Sequence, residues 1–236
     1  MSRRVITLPL LAVALALLLS GCGEKEKVVN PGEFGNGDDP SNFQGFFASE
    51  DGAGRIGVII SASAATGALS PEGGGSVALA GTYDSALDSL HLTGVGYEFG
   101  GHFSRAHGVP IATGTFTSPG SDGSFAVVLV NAFGPHAYCG LLFLPGDVVA
   151  GRFAYVTSGV AVLGVACFSA DVCVPLEGEF DQSAPKPRFT LAGASATRNV
   201  ELSGSIDEDA DLAAGSWTSM GSSGGATGTW SAALCP

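Results

Sequence analysis

Three aspartates at alternate positions, Asp207, Asp209 and Asp211, place carboxylates at the first, third and fifth positions of a calcium-loop pattern. The sixth position is Leu212 instead of the turn-forming glycine, and the twelfth is Thr218 instead of a bidentate glutamate. They are therefore a weak metal candidate, set against the plainer reading of acids on a hairpin turn. The histidines are His91, His102, His107 and His136. Glu98, His102 and His107 are close in sequence, but on a strand His102 and His107 face opposite sides, and the spacing fits no zinc pattern. Two carboxylate pairs recur in matching surroundings: Asp84 with Asp181, each directly after an aromatic residue, and Glu98 with Glu201. Paired acids could do general acid–base work or hold a cation. The simpler account is that Asp caps a hairpin turn and Glu alternates outward between apolar neighbours. Gly221-Ser222-Ser223-Gly224-Gly225 has the letters of a nucleophile elbow, but no helix is expected after it and no histidine lies downstream. These residues support no catalytic set, and no cofactor is expected.

Four cysteines, Cys139, Cys167, Cys173 and Cys235, carry the strongest geometric information in the body of the chain. An even number in an exported protein predicts two disulfides, with three possible pairings. In an antiparallel meander, alternating strand directions put Cys167 and Cys173 at one end of the sheet, flanking a short turn. The same alternation returns Cys235 to the end where Cys139 lies. Because bridged Cα atoms must sit about 4.4–6.8 Å apart, the expected bridges are Cys167–Cys173 and Cys139–Cys235.

The elements that must position these residues are strands. The 236 residues include 36 glycines, and charged residues are only 14% while hydrophobic ones are 45%. Glycine at that level, with no Gly-X-Y period, disfavours long helices and collagen. Ten basic against 22 acidic side chains, a formal −12, argues against a nucleic-acid partner bound through a basic face. From Phe43 onward, short alternating apolar runs such as Phe125-Ala126-Val127-Val128-Leu129-Val130 are punctuated by Gly-rich turns every 8–12 residues. Period two with close turns predicts an all-β antiparallel meander of about fifteen strands, barrel-like or a sandwich.

One tripeptide, Gly-x-aromatic, recurs at Gly45, Gly81, Gly101, Gly114, Gly151, Gly178, Gly215 and Gly228. Glycine and ring share a sheet face there, so the glycine permits a sharp bend or leaves room for a neighbouring ring. The recurrence is collinear. The run from Val77 matches that from Val174, with two residues added in the second hairpin. Tyr97–Phe103 matches Val200–Ile206, the run from Thr113 matches that from Ala214, and Gly45–Ala48 matches Gly151–Ala154. A duplication of about a hundred residues follows, with β-units over 43–134 and 149–236 and a connecting segment, 135–148, holding one extra strand from Tyr138 to Leu144. The bridge from Cys139 to Cys235 would set that strand beside the last one at Trp230. Eight strands of the second half would then close into an up-and-down barrel without edges.

The first 21 residues have the layout of an export signal: Arg3 and Arg4, then an uncharged apolar run from Val5 to Leu19 that is short for a membrane span. Its end, Leu19-Ser20-Gly21-Cys22, resembles the lipobox of bacterial lipoproteins. The resemblance implies cleavage before Cys22, lipidation of its thiol and acylation of the new amino group, typically with palmitate. Several acyl chains hold a protein to a bilayer far better than one. Gly23, where an Asp would retain the protein at the inner membrane, implies the outer membrane under the Gram-negative sorting rule. Residues 22–42, charged and rich in Gly, Pro and Asn, read as a flexible tether with a reach of roughly 25 Å. Loss of Arg3 and Arg4 leaves 8 basic side chains against 22 acidic ones, a formal −14.

The sequence therefore predicts a lipid-anchored β-protein of the cell envelope, periplasmic or surface-facing. Its expected role is non-enzymatic, either structural or the binding of an envelope protein, glycan or small ligand. Two other expectations are a hydrolase of polymers acting through Asp84, Glu98, Asp181 or Glu201, and a barrel carrying an apolar ligand in its lumen.

Overall fold

A computed structural model describes residues 40–236, apart from positions 107, 131–133, 169–171, 182, 184–185, 208–210 and 223. Cys22, the lipobox and the tether up to residue 39 lie outside the described residues. Among the described residues, sixteen strands follow one another without an intervening helix. The first eight are β1 (Ser41–Ser49), β2 (Ala53–Ser61), β3 (Ala64–Pro71), β4 (Val77–Asp84), β5 (Ser89–Gly94), β6 (Tyr97–Ala106), β7 (Val109–Thr117) and β8 (Asp122–Leu129). The second eight are β9 (His136–Leu144), β10 (Val148–Ser158), β11 (Ala161–Phe168), β12 (Val172–Asp181), β13 (Arg188–Ala194), β14 (Arg198–Asp207), β15 (Leu212–Gly221) and β16 (Gly224–Leu234). Each set closes as an antiparallel up-and-down barrel, with β1 paired to β8 and β9 paired to β16. Closure was expected for the second half; the first half is closed as well.

Both expected disulfides are present. Cys167 and Cys173 face one another across the β11–β12 hairpin. Cys139–Cys235 spans the β9–β16 seam, where the Cys235 N–H also donates to the Ala137 carbonyl at 2.8 Å.

Two boundaries move. The expected strand from Tyr138 to Leu144 is present and lies beside the last strand, so residues 135–148 belong to the second barrel instead of connecting two units. They supply β9, the first strand of the second barrel, because a closed barrel needs a partner for β16. The match of Gly45–Ala48 with Gly151–Ala154 moves for the same reason. Ala53-Gly54-Arg55 of β2 recurs as Ala150-Gly151-Arg152 at β10, 97 residues on, and β3 and β4 recur in β11 and β12 at the same spacing. The counterpart of β1 is therefore β9, where Phe43-x-Gly45-x-Phe47 becomes Tyr138-x-Gly140-x-Leu142, the rings and Leu142 packed inside their barrels. The repeat unit is a whole eight-stranded barrel.

The Gly-x-aromatic rhythm serves the curvature of these small barrels. A Cβ on Gly178 would land on the carbonyl oxygen of Thr190 in the next strand, so only glycine allows the strands to coil that tightly. At Gly204 the vacated space is filled by the Trp230 ring, whose Nε1–H donates to the Ser203 and Ser216 carbonyls, both at 3.1 Å. Each lumen is packed with its own rings. In the first barrel Phe99 stacks on Phe116 at 5.2 Å and meets Phe125 edge-on at 5.4 Å. In the second, Tyr138 stacks on Tyr155 at 5.0 Å, and Trp230 meets Phe153 at 5.1 Å.

A third, separate core joins the barrels. Phe46, Ala48, Ile111, Ala126 and Val128 of the first pack against Ala154, Val156, Leu163, Val165 and Cys167 of the second. All eight positions of β11 are therefore buried, alternately by its own lumen and by the first barrel. At the rim of this contact Arg152 donates to Glu72 across the barrels at 2.8 Å.

Candidate functional site: a trough on the second barrel

The acids singled out in the sequence are distributed over both barrels. Asp84 Oδ1 accepts the N–H groups of Ala86 at 2.9 Å and Leu87 at 3.3 Å, capping the β4–β5 turn. Asp181 does the same for the β12–β13 turn, accepting the Ser183 N–H at 2.9 Å and its hydroxyl at 2.6 Å. The Ser183 hydroxyl, then its N–H, then Arg188 across the strand pair hold the Asp181 carboxyl below the usual carboxylate range. A depressed pKa stabilises the fold above the ordinary value and loses that contribution as pH falls through the lowered one. Glu98 pairs with His91 Nε2 at 3.1 Å, both side chains more than half exposed. Glu201 faces outward from β14, and His102 and His136 are likewise exposed. His107 lies outside the described residues.

Of the candidate calcium ligands, Asp207 is paired with Lys186 Nζ at 3.0 Å. Asp211 has the left-handed backbone of a turn, with φ 52°, and leads into β15. Asp209 lies outside the described residues. Among the described residues no three His, Cys, Asp or Glu side chains gather to hold a metal ion. Gly221 and Gly224 pair as the last and first residues of β15 and β16, a plain hairpin turn.

A long concave feature runs across the outer face of the second barrel. Two depressions, of about 1150 and 650 Å³, share Ser205 and Ala214 and form one trough. Strand register builds its floor. Arg152 faces Leu141, Leu141 faces Ser231, Ser231 faces Ala214, Ala214 faces Ser205, and Ser205 faces Arg188, which in turn pairs with Asp181. Four small or aliphatic side chains thus lie between a cation at each end. The neighbouring row adds Ala233 and Leu212, the latter 51% exposed. The half toward β12 is polar: Glu179, Thr190, Ser203 and Ser216 line it, the two serine hydroxyls 3.2 Å apart. The half toward β9 is apolar and is walled by Glu72 of the first barrel and by the Lys186–Asp207 pair.

Of these residues, sequence reading singled out Asp181 and Asp207, neither of them for this role. Lys186 left one signal, since it sits in the hairpin that is two residues longer than its counterpart in the first barrel. Leu141, Ser231 and Arg152 had no signal of their own, because strands distant in sequence bring them together. Among the described residues both lumens are packed with apolar side chains, and Arg198, 4.4 Å over the Phe168 ring and donating to Ser219 at 3.2 Å, closes one end of the second barrel. No family model matches the chain, and no curated protein is similar to it in sequence.

Proposed function

We propose that this protein is a lipid-anchored module of the bacterial cell envelope, held through Cys22 with the outer membrane favoured, which acts by binding rather than by catalysis. The observation that supports this most directly is where the free surface lies. Both barrels fill their lumens with their own rings, so recognition falls to the outer faces, where the second barrel carries the trough. A hydrolase would need Asp84, Glu98, Asp181 and Glu201 joined in one cleft, whereas Asp84 and Asp181 cap turns on different barrels. A carrier of apolar ligands would need the space that Tyr155, Trp217, Trp230 and the phenylalanines occupy.

The anchor is tested by growing expressing cells with labelled palmitate. The wild-type chain should take up label and sediment with outer membranes, and Cys22→Ser should lose both. Label retained by Cys22→Ser, or absent from the wild type, overturns the anchor.

A further inference from the structure

The duplication gives each outward position on one barrel a counterpart on the other, and the contact between the barrels uses two unlike faces. The first barrel supplies Phe46, Ile111, Ala126 and Val128 from β1, β7 and β8. By register, their counterparts on the second barrel are Leu141, Leu212, Ser231 and Ala233, since Leu212 faces Ala233 as Ile111 faces Val128. Those four residues line the apolar half of the trough. The second barrel supplies Val156, Leu163 and Val165 from β10 and β11. Their counterparts on the first barrel are Ile59, Thr66 and Ala68, since Ile59 faces Thr66 as Val156 faces Leu163. Ile59 is 45% exposed, and Thr66 and Ala68 are exposed beside it. Each chain therefore buries one copy of each half of this interface and leaves one copy of each half open.

We propose that the trough of the second barrel takes the β2–β3 face of a second copy of the chain, repeating head to tail the contact that joins the two barrels within one chain. The occupant follows from the interface itself, because the face that fits Phe46, Ile111, Ala126 and Val128 is the one whose duplicate stands open around Ile59. A contact between unlike faces leaves a free half at each end of the pair and propagates instead of stopping at a dimer. Ser231 in place of Ala126, and Thr66 in place of Leu163, lower the apolar area that such a contact buries. The association is therefore weaker than the internal contact and depends on concentration. It does not rest on the lipid anchor.

Sedimentation of the full chain in detergent over a hundredfold concentration range tests this, with Ile59→Glu and Ser231→Glu. The wild type should grow beyond a dimer as concentration rises, and each variant should associate at least tenfold more weakly. An equal mixture of the two variants should recover dimers and nothing larger, because Ile59→Glu keeps an intact trough and Ser231→Glu an intact β2–β3 face. A wild type that stays monomeric throughout, variants that associate as it does, or a mixture that stays monomeric each overturns the proposal. A second readout avoids added charge. Within the chain, Cys167 Sγ lies 3.6 Å from the Ala48 carbonyl oxygen, and the counterparts of these residues are Ser70 and Phe143. Ser70→Cys mixed with Phe143→Cys should cross-link between chains on oxidation and neither should do so alone. No mixed cross-link, or equal cross-linking in the separate samples, overturns the proposal.

Discussion

At the scale of single residues, Tyr155 stands out. Its ring is fully buried between Tyr138 and Phe189, and its hydroxyl has no hydrogen-bond partner among the described residues. Burial, reinforced by Tyr138, pushes the phenol far above its ordinary pKa, so it stays neutral. A buried hydroxyl without a partner costs about 1–3 kcal/mol in desolvation, and a phenylalanine would fill the same space without it. Tyr155→Phe should therefore raise stability by about 1 kcal/mol, read as a higher denaturation midpoint with an unchanged m-value. The aspartates at this scale are turn chemistry. Their position after an aromatic at a strand end was legible in the sequence, and the capping bonds of Asp84 and Asp181 give the reason for the match.

At the scale of strands, the Gly-x-aromatic glycines stand apart from other strand glycines, because an added Cβ at any of the eight would press into a neighbouring strand or ring. Gly178 points into the lumen, where an added Cβ would meet the Thr190 carbonyl, while Gly100 faces outward with nothing within 4 Å. Gly178→Ala must push β12 and β13 apart and should cost more than about 2 kcal/mol, comparable to other overpacked cores. Gly100→Ala meets no such obstacle and should gain about 0.5–1 kcal/mol from the unfolded chain's reduced freedom. Paired denaturant melts of the two variants check this. The Gly-x-aromatic rhythm exposed the strands and their faces because period two is local. Pairing of β1 with β9 as duplicates was not legible. There the likeness reduces to Phe43-x-Gly45-x-Phe47 against Tyr138-x-Gly140-x-Leu142, too short to outweigh the more obvious Gly45–Ala48 match.

At the scale of the whole molecule, the two disulfides differ in reach. Cys139–Cys235 bridges a separation of 96 residues and welds the seam of a barrel, whereas Cys167–Cys173 spans 6 within one hairpin. The chain-entropy model assigns the long loop about 5 kcal/mol and the short one about 2 kcal/mol. Replacing Cys139 and Cys235 together by alanine should thus lower stability about twice as much as replacing Cys167 and Cys173, in parallel denaturant titrations. Three of the four sulfurs are buried in the core between the barrels, with Cys173 packed against it. The same comparison therefore reports on whether the barrels unfold as one unit.

What the amino-acid sequence determined by itself was everything set by near neighbours or by counting: strands, turns, the all-β class, the duplication and the pairing of four cysteines. Alternation and turn chemistry act over a few residues, and strand direction simply alternates along a meander, so these properties can be read along the line. The tertiary structure alone decided that the first half closes as well, that β1 and β9 are duplicates opening two whole barrels, and that β11 is buried on both faces. It also created the trough, whose floor gathers Arg152, Leu141, Ser231, Ala214 and Ser205 from five strands. Closure joins the last strand to the first across nearly a hundred residues, and no local pattern records which outward faces then meet.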